Sequence, residues 1–173
     1  MKIFKIDSIE YGWFGIFFGK YYIECSDYLD YDSPKRLLEA VADLVEKKAR
    51  EKWICFHNEP GASIMQIVLE ENKLIFQLFD SVKTSWELKN SDDLPQNSCD
   101  KCLWSMNFDI PLIVDNLVTE FSLYENGNGL SMYEKHWMEY PKKEYTRLKE
   151  YAIKLQEQMS ENNELFGMFC TTY

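Results

Sequence analysis

Two short apolar runs separated by four polar residues constrain the fold of this chain more than any other feature. Residues 63–69 and 74–79 are mostly aliphatic and aromatic, and Glu-Glu-Asn-Lys at 70–73 separates them. Apolar side chains occupy both alternating sets of positions in each run, which is typical of strands covered on both faces. The pattern therefore predicts an antiparallel hairpin at the centre of a sheet that is covered by helices.

Aromatic and β-branched residues also dominate residues 11–25 near the N-terminus. We expect two antiparallel strands there, with a turn near Gly19 and Lys20 and a β-bulge at Gly15. A further buried strand is predicted at residues 53–57, because Asn-Glu-Pro-Gly follows it as a turn signal.

Apolar spacing of three and four residues predicts a first helix over roughly residues 34–51. Asp32 or Ser33 is expected to cap its free amides, and Pro34 suits the first turn. The basic run at 47–50 is expected to form the last turn, where it would complement the helix dipole.

The same spacing predicts a second helix after Asp109, which stops at the glycines of residues 126–129, and a third helix that begins at Pro141. The apolar end at 165–170 is compatible with a last strand or with a packed tail.

The order of these elements lacks the regular strand–helix alternation of a doubly wound fold. It predicts the α+β class, an antiparallel sheet with helices packed mainly on one face, in a single domain over residues 1–173. An exposed polar loop is expected at about 88–100, and Trp86 and Trp104 are expected to return to the core on either side of it.

Composition excludes some classes of function. The net charge is −10, which argues against nucleic acid as the principal partner, because phosphate binding needs clustered Lys and Arg. No apolar run approaches the ~20 residues of a membrane span, and no signal peptide is evident. The odd count of five Cys favours reduced thiols, so we expect a cytoplasmic protein.

Few residues match a chemical template. Cys99 and Cys102 have the spacing of a zinc-binding or redox pair, but incidental cysteines are the commoner explanation, and the choice stays open. His57 and Glu59 are the residues that a general base and its orienting carboxylate would use, although a satisfied buried histidine is commoner. We expect no catalytic residue, no metal site and no cofactor.

Acidic residues interleaved with tyrosines suggest a surface for a basic protein partner, because tyrosine supplies contact area and carboxylates steer a cationic partner. A solvated loop is the alternative explanation. The candidate partner-binding residues are Asp27, Tyr28, Asp30, Tyr31, Asp32, Glu70, Glu71, Asp92 and Asp93.

The order of local signals is similar to that of a known group of proteins. The residues that carry the similarity are Ser26-Asp27-Tyr28-Leu29, the helix start Ser33-Pro34-Lys35-Arg36-Leu37-Leu38-Glu39-Ala40, Glu59-Pro60-Gly61, Phe108-Asp109-Ile110-Pro111-Leu112, Trp137, Tyr140-Pro141, Glu144 and Leu148. Over most of its length the chain resembles small bacterial families that include immunity proteins of polymorphic toxin and contact-dependent inhibition systems.

This resemblance implies a cytoplasmic, non-enzymatic protein that neutralises a toxin domain by direct binding. One alternative is an oligomeric structural module that associates through residues 165–173. Another is a ligand-binding domain or enzyme that uses His57, Glu59 and an aromatic pocket.

Overall fold

The computed structural model describes residues 3–89 and 95–170, which form seven strands and five helices. The elements in chain order are β1 (Phe4–Glu10), β2 (Trp13–Phe18), β3 (Tyr21–Ser26), α1 (Ser33–Val45), β4 (Glu51–Asn58), β5 (Gly61–Glu70), β6 (Lys73–Ser81), α2 (Ser85–Lys89), β7 (Cys99–Asp109), α3 (Ile110–Ser122), α4 (Gly127–His136) and α5 (Lys142–Cys170).

The α+β class with antiparallel strands is confirmed, but the strands divide into two sheets. One sheet has the order β1-β2-β3 and the other has the order β4-β5-β6-β7. Phe18 packs between the two sheets: its ring centroid lies 5.4 Å from that of Phe76 and 5.9 Å from that of Trp104. One continuous core therefore contains residues of both sheets, together with α1, α3 and the first turns of α5.

The strand pair near the N-terminus turns where the sequence predicts, but its bulge lies on the neighbouring strand. The pairing of β1 with β2 shifts between Ile6 and Ser8, so Asp7 is the additional residue, and the prediction of a bulge at Gly15 was wrong. Gly15 instead makes room for two side chains: a Cβ there would lie 2.5 Å from the Tyr22 hydroxyl and 2.7 Å from the Ser8 hydroxyl, so both would have to shift.

The central hairpin is confirmed, but β6 is fully covered on one face only. Leu74, Phe76 and Leu78 are buried, whereas Ile75 and Phe79 on the other face are half-buried. That outer face is covered at one end, where the turn at Pro95–Ser98 packs against β4. The apolar pattern of β6 therefore predicted more cover than the helices provide.

Helix α1 begins as predicted and ends earlier. The Asp32 carboxylate accepts the backbone N–H of Lys35 at 3.0 Å, which makes it the N-cap. Lys47 adopts a left-handed φ of 59° and ends the helical path, so the basic residues 47–50 lie beyond the last turn. Ala49 nevertheless packs against the core, which explains why the apolar spacing extended the prediction to residue 51.

The C-terminal helices also differ from the prediction. Helix α3 begins after Asp109, whose side chain makes no capping hydrogen bond and lies 3.7 Å from the ammonium group of Lys73 instead. The glycines after Asn126 begin α4 rather than a loop. The segment 165–170 is not a strand, because it forms the last part of α5. The alternative of a packed tail concerns side chains that lie outside the described part of the chain. Within the described residues, no helix is long and apolar enough to cross a membrane.

Candidate functional site

Residues 27–32 connect β3 to α1 and contain five of the nine predicted partner-binding residues. We call this segment the acidic loop. It separates two surface clefts: Tyr28 and Leu29 line one of them, and Asp30, Tyr31 and Asp32 line the other.

The first cleft, which we call the aromatic cleft, has a volume of about 580 Å³. Its lining residues are Tyr28, Leu29, Glu59, Pro60, Thr84, Ser85 and Trp86. The side chains of Tyr28 and Trp86 are 69% and 62% exposed, although both are large and mostly apolar. The prediction that Trp86 returns to the core was wrong, whereas Trp104 is buried as predicted.

Hydrogen bonds from buried serines hold the walls of the aromatic cleft. The Ser26 hydroxyl donates to the Glu59 carboxylate at 3.0 Å and joins the end of β3 to the β4–β5 turn. The backbone N–H of Ser85 donates to the Pro60 carbonyl at 2.9 Å, and its hydroxyl donates to the Gly61 carbonyl. Ser26 and Ser85 are 3% and 2% exposed, so both walls are anchored to the body of the protein.

The second cleft, which we call the acidic cleft, has a volume of about 510 Å³. It is lined by Asp30, Tyr31, Asp32, Lys35, Arg36, Glu39, Met138, Glu139 and Glu144. Five of these residues carry carboxylates and two carry cations, so the lining is negative overall. The Arg36 guanidinium is already engaged, because it donates to the Glu39 carboxylate at 3.0 Å.

Asp32 has a structural role inside the acidic cleft. In addition to capping α1, its Oδ1 accepts the indole N–H of Trp137 at 3.2 Å. Burial raises the pKa of Asp32, and the two hydrogen bonds offset only part of that rise.

Asp27 packs against the β1–β2 turn. Its backbone N–H donates to the Gly12 carbonyl at 2.9 Å, and Gly12 has a φ of 83°. A Cβ at Gly12 would lie 2.5 Å from the Asp27 carboxylate, so another residue there would require that side chain to move as well as a strained backbone.

Half-buried Tyr31 of the acidic loop packs against the buried ring of His57. Their rings are edge to face with centroids 4.9 Å apart, and the Tyr31 hydroxyl accepts the backbone N–H of Cys55 at 3.4 Å. Burial raises the pKa of Tyr31 to about 12 and lowers that of His57. His57 is 3% exposed, and the structure turns the carboxylate of Glu59 to Ser26.

The remaining predicted partner residues do not join this site. Glu70 and Glu71 lie at the β5–β6 turn, at the far end of β5 from Pro60. Gly61 and Glu70 are the two ends of the ten-residue strand β5, which spans about 30 Å. Asp92 and Asp93 lie outside the described residues, as do residues 90–94 of the loop predicted at about 88–100. The described part of that segment is not a simple loop, because it contains the end of α2, the turn at Pro95–Ser98 and the start of β7.

Cys99 and Cys102 both lie on β7, where the pairing with β6 is irregular. Cys99 is half-buried, and its thiol points to the Pro95 carbonyl at 3.9 Å. Cys102 is exposed, and its sulfur lies 3.4 Å from the Trp104 carbonyl oxygen. Among the described residues, no group of three or more His, Cys, Asp and Glu could hold a metal ion.

Sequence reasoning did not select the residues that complete the two clefts. Trp86 occurs in a short polar helix, and nothing in its spacing separates an exposed tryptophan from a core one. Glu139 and Glu144 reach the acidic loop from the α4–α5 connection and α5, which is a long-range contact. Comparisons of the chain with known protein families, with curated proteins and with solved structures found no match.

Proposed function

We propose that this chain is a non-enzymatic binding protein whose acidic loop and aromatic cleft engage a basic protein partner. In line with the resemblance described above, we further propose that it acts in the bacterial cytoplasm as an immunity protein. The partner would then be a toxin domain, which the chain neutralises by covering its functional surface.

The observation that carries this proposal is the pair of exposed aromatic side chains at the aromatic cleft. Tyr28 and Trp86 are more than half exposed, and they flank a cleft whose walls are anchored by Ser26 and Ser85. Tyrosine and tryptophan dominate the binding energy of protein interfaces, because they bury large areas and lose few rotamers. A fixed cleft between two such side chains therefore favours recognition of a protein surface.

Charge supports a basic partner. The chain carries a net charge of −10, and Asp27 and Asp30 lie beside Tyr28 in sequence. Carboxylates around an apolar contact raise the association rate of a cationic partner and do little for partners of other charge. Toxin domains that act on nucleic acids are commonly basic, so an acidic inhibitor of this kind suits them.

Affinity capture tests the proposal directly. The tagged protein is expressed in its native cytoplasm together with the neighbouring reading frames, and bound proteins are recovered at low and at moderate salt. We expect one stoichiometric basic partner that is lost when Trp86 is replaced by alanine. Leu112→Ala is the matched control, because Leu112 is 46% exposed and lies in the first turn of α3, next to Asn72 at the far end of the second sheet.

Two results would contradict the proposal. Recovery of the protein alone with a mass above one chain would favour the oligomeric module, and equal capture by the Trp86→Ala and wild-type chains would remove the aromatic cleft from the interface.

A further inference from the structure

A mostly buried glutamate without a hydrogen-bond partner lies in the wall of the acidic cleft. Glu144, in the first turn of α5, is only 8% exposed and lines the cleft. In the part of the chain that the structure describes, its carboxylate makes no hydrogen bond or ion pair. The Glu144 oxygens are not among the buried atoms without a partner, so the carboxylate opens into the cleft, where it can accept hydrogen bonds from a ligand with positive charge.

The neighbouring charges make this position more negative. Glu144 raises the pKa of Asp32 through their electrostatic repulsion, so the two carboxylates are close enough to interact. Asp30 and Glu139 line the same cleft and are exposed. A cation that entered the cleft would therefore face Glu144 at its wall and further carboxylates at its rim.

Cations of the chain also lie near this position, because Glu144 lines a second cleft together with Lys142, Lys143 and Arg147, of which Arg147 pairs with Asp43 and Glu46. Arg36 pairs with Glu39, and Lys35 forms no ion pair within residues 3–89 and 95–170. Lys35 lines the acidic cleft and lowers the pKa of Asp32, so it is a competitor for an incoming cation.

We infer that the acidic cleft accepts an arginine side chain of the protein partner, with Glu144 as its principal anion. This inference rests on the proposed function. It adds a second contact with the same partner, in the acidic cleft rather than in the aromatic cleft. A guanidinium group suits the cleft better than an ammonium group, because it is less strongly hydrated and can donate to several carboxylates at once.

Arginine is also among the residues that contribute most to protein interfaces, alongside tyrosine and tryptophan. Tyr28 on one side of the loop and Glu144 on the other would then hold two neighbouring side chains of the same partner.

A small probe tests this inference without the partner. N-acetyl-arginine methylamide is titrated into the protein, and amide chemical shifts are followed by NMR. We expect saturable shifts confined to residues 30–39 and 138–144, and weaker shifts from the matching lysine derivative. Glu144→Gln should weaken the binding of the arginine probe at least about fivefold, since it removes the charge from a charge-assisted hydrogen bond.

The control is Glu157→Gln, an exposed glutamate on the same helix that does not line the cleft, and it should bind the probe as the wild type does. Glu139→Gln provides a second variant, because Glu139 is exposed and its replacement does not disturb the core. Lys35→Met should strengthen binding by removing the competing cation.

The absence of saturable shifts, or an equal loss in Glu144→Gln and Glu157→Gln, would overturn the inference. So would the same shifts at lower concentration with magnesium or calcium chloride, which would identify a metal site. Failure of the probe with successful capture of a partner would reject the arginine contact alone. Probe binding without any captured partner would reject the proposed function alone.

Discussion

The indole N–H of Trp137 donates to the same oxygen of Asp32 that caps the first turn of α1, across 105 positions of sequence. One carboxylate thus fixes the start of α1 and the connection between α4 and α5. Trp137 is only 6% exposed, so its N–H would lack a partner if the carboxylate were removed. The shape of the acidic cleft depends on this link, because both sides of the link contribute lining residues.

Asp32→Ala should lower the free energy of unfolding by about 2–3 kcal/mol, because it removes a helix cap and leaves a buried indole N–H unpaired. Asp32→Asn should remain within about 0.5 kcal/mol of the wild type, since its amide oxygen can accept both hydrogen bonds. Urea unfolding at pH 7 measures the difference. Equal losses in the two variants would show that the charge, rather than the oxygen, forms the link.

Gly12→Ala should destabilise the protein more than Gly127→Ala does. Both glycines have a positive φ, but a Cβ at Gly127 meets no atom within 4 Å, whereas one at Gly12 would contact the Asp27 carboxylate. The strain of the backbone is common to both changes, and the Asp27 carboxylate can turn aside, so we expect a small excess of about 0.5 kcal/mol that measures the contact with Asp27. Thermal unfolding tests this order.

If the excess arises at Asp27, the double variant Gly12→Ala/Asp27→Ala should recover most of it. An additive double variant would place the cost elsewhere.

Arg147→Met should destabilise the protein in a way that depends on pH. The Arg147 guanidinium lies 2.7 Å from carboxylate oxygens of both Asp43 and Glu46. Hydrogen bonds, chiefly from Arg147, lower the pKa of Glu46 to about 2. Burial alone would raise the pKa of Asp43, but hydrogen bonds from Lys52 and Arg147 outweigh burial and lower it. A carboxyl group whose pKa is lower in the folded than in the unfolded chain stabilises the fold fully at pH values above its unfolded pKa. This stabilisation is lost as the pH falls towards the folded pKa.

The loss in Arg147→Met should therefore be about 1–2 kcal/mol at pH 7, because partial exposure weakens the ion pairs. It should shrink as the pH falls from about 4.5 towards 2. Arg36→Met is the control, since the Arg36–Glu39 pair is largely exposed and should contribute little at either pH. A loss of constant size across this pH range would contradict the assigned role of Glu46.

Much of the fold could be predicted from local patterns. The central hairpin, the N-terminal strand pair and the start of α1 at Asp32 follow from spacing and turn residues. The end of α1 could not, because Ala49 keeps the apolar spacing although Lys47 has already turned the chain. The division into two sheets depends on the contact of Phe18 with Phe76 and Trp104, which no local pattern encodes.

The candidate site was predictable only where one segment carries it. The acidic loop is contiguous, so Tyr28 and Asp30 could be selected from sequence. Trp86 and Glu144 could not, because tertiary structure places them beside that loop. The acidic pair Glu70 and Glu71 was grouped with the loop by composition alone, and strand β5 places it at the opposite end of the sheet.

This separation gives a prediction about charge. Asp27→Asn with Asp30→Asn removes the same charge as Glu70→Gln with Glu71→Asn; asparagine is chosen for Asp30 and Glu71 because both have a positive φ. The change in the acidic loop should slow association with the captured partner severalfold and reduce its dependence on salt, with little effect on dissociation. Stopped-flow or surface-based kinetics at two salt concentrations measure this. A larger effect from the pair at 70 and 71 would move the interface to the β5–β6 turn.

The most direct test of the account is the dissociation constant of the captured partner for Trp86→Ala and for Leu112→Ala. The two residues are both exposed and apolar, and they differ in whether they line the aromatic cleft. We predict that Trp86→Ala weakens binding by about 2 kcal/mol or more, roughly thirtyfold, and that Leu112→Ala leaves it unchanged. Equal dissociation constants for the two variants would contradict the claim that the aromatic cleft is the binding site.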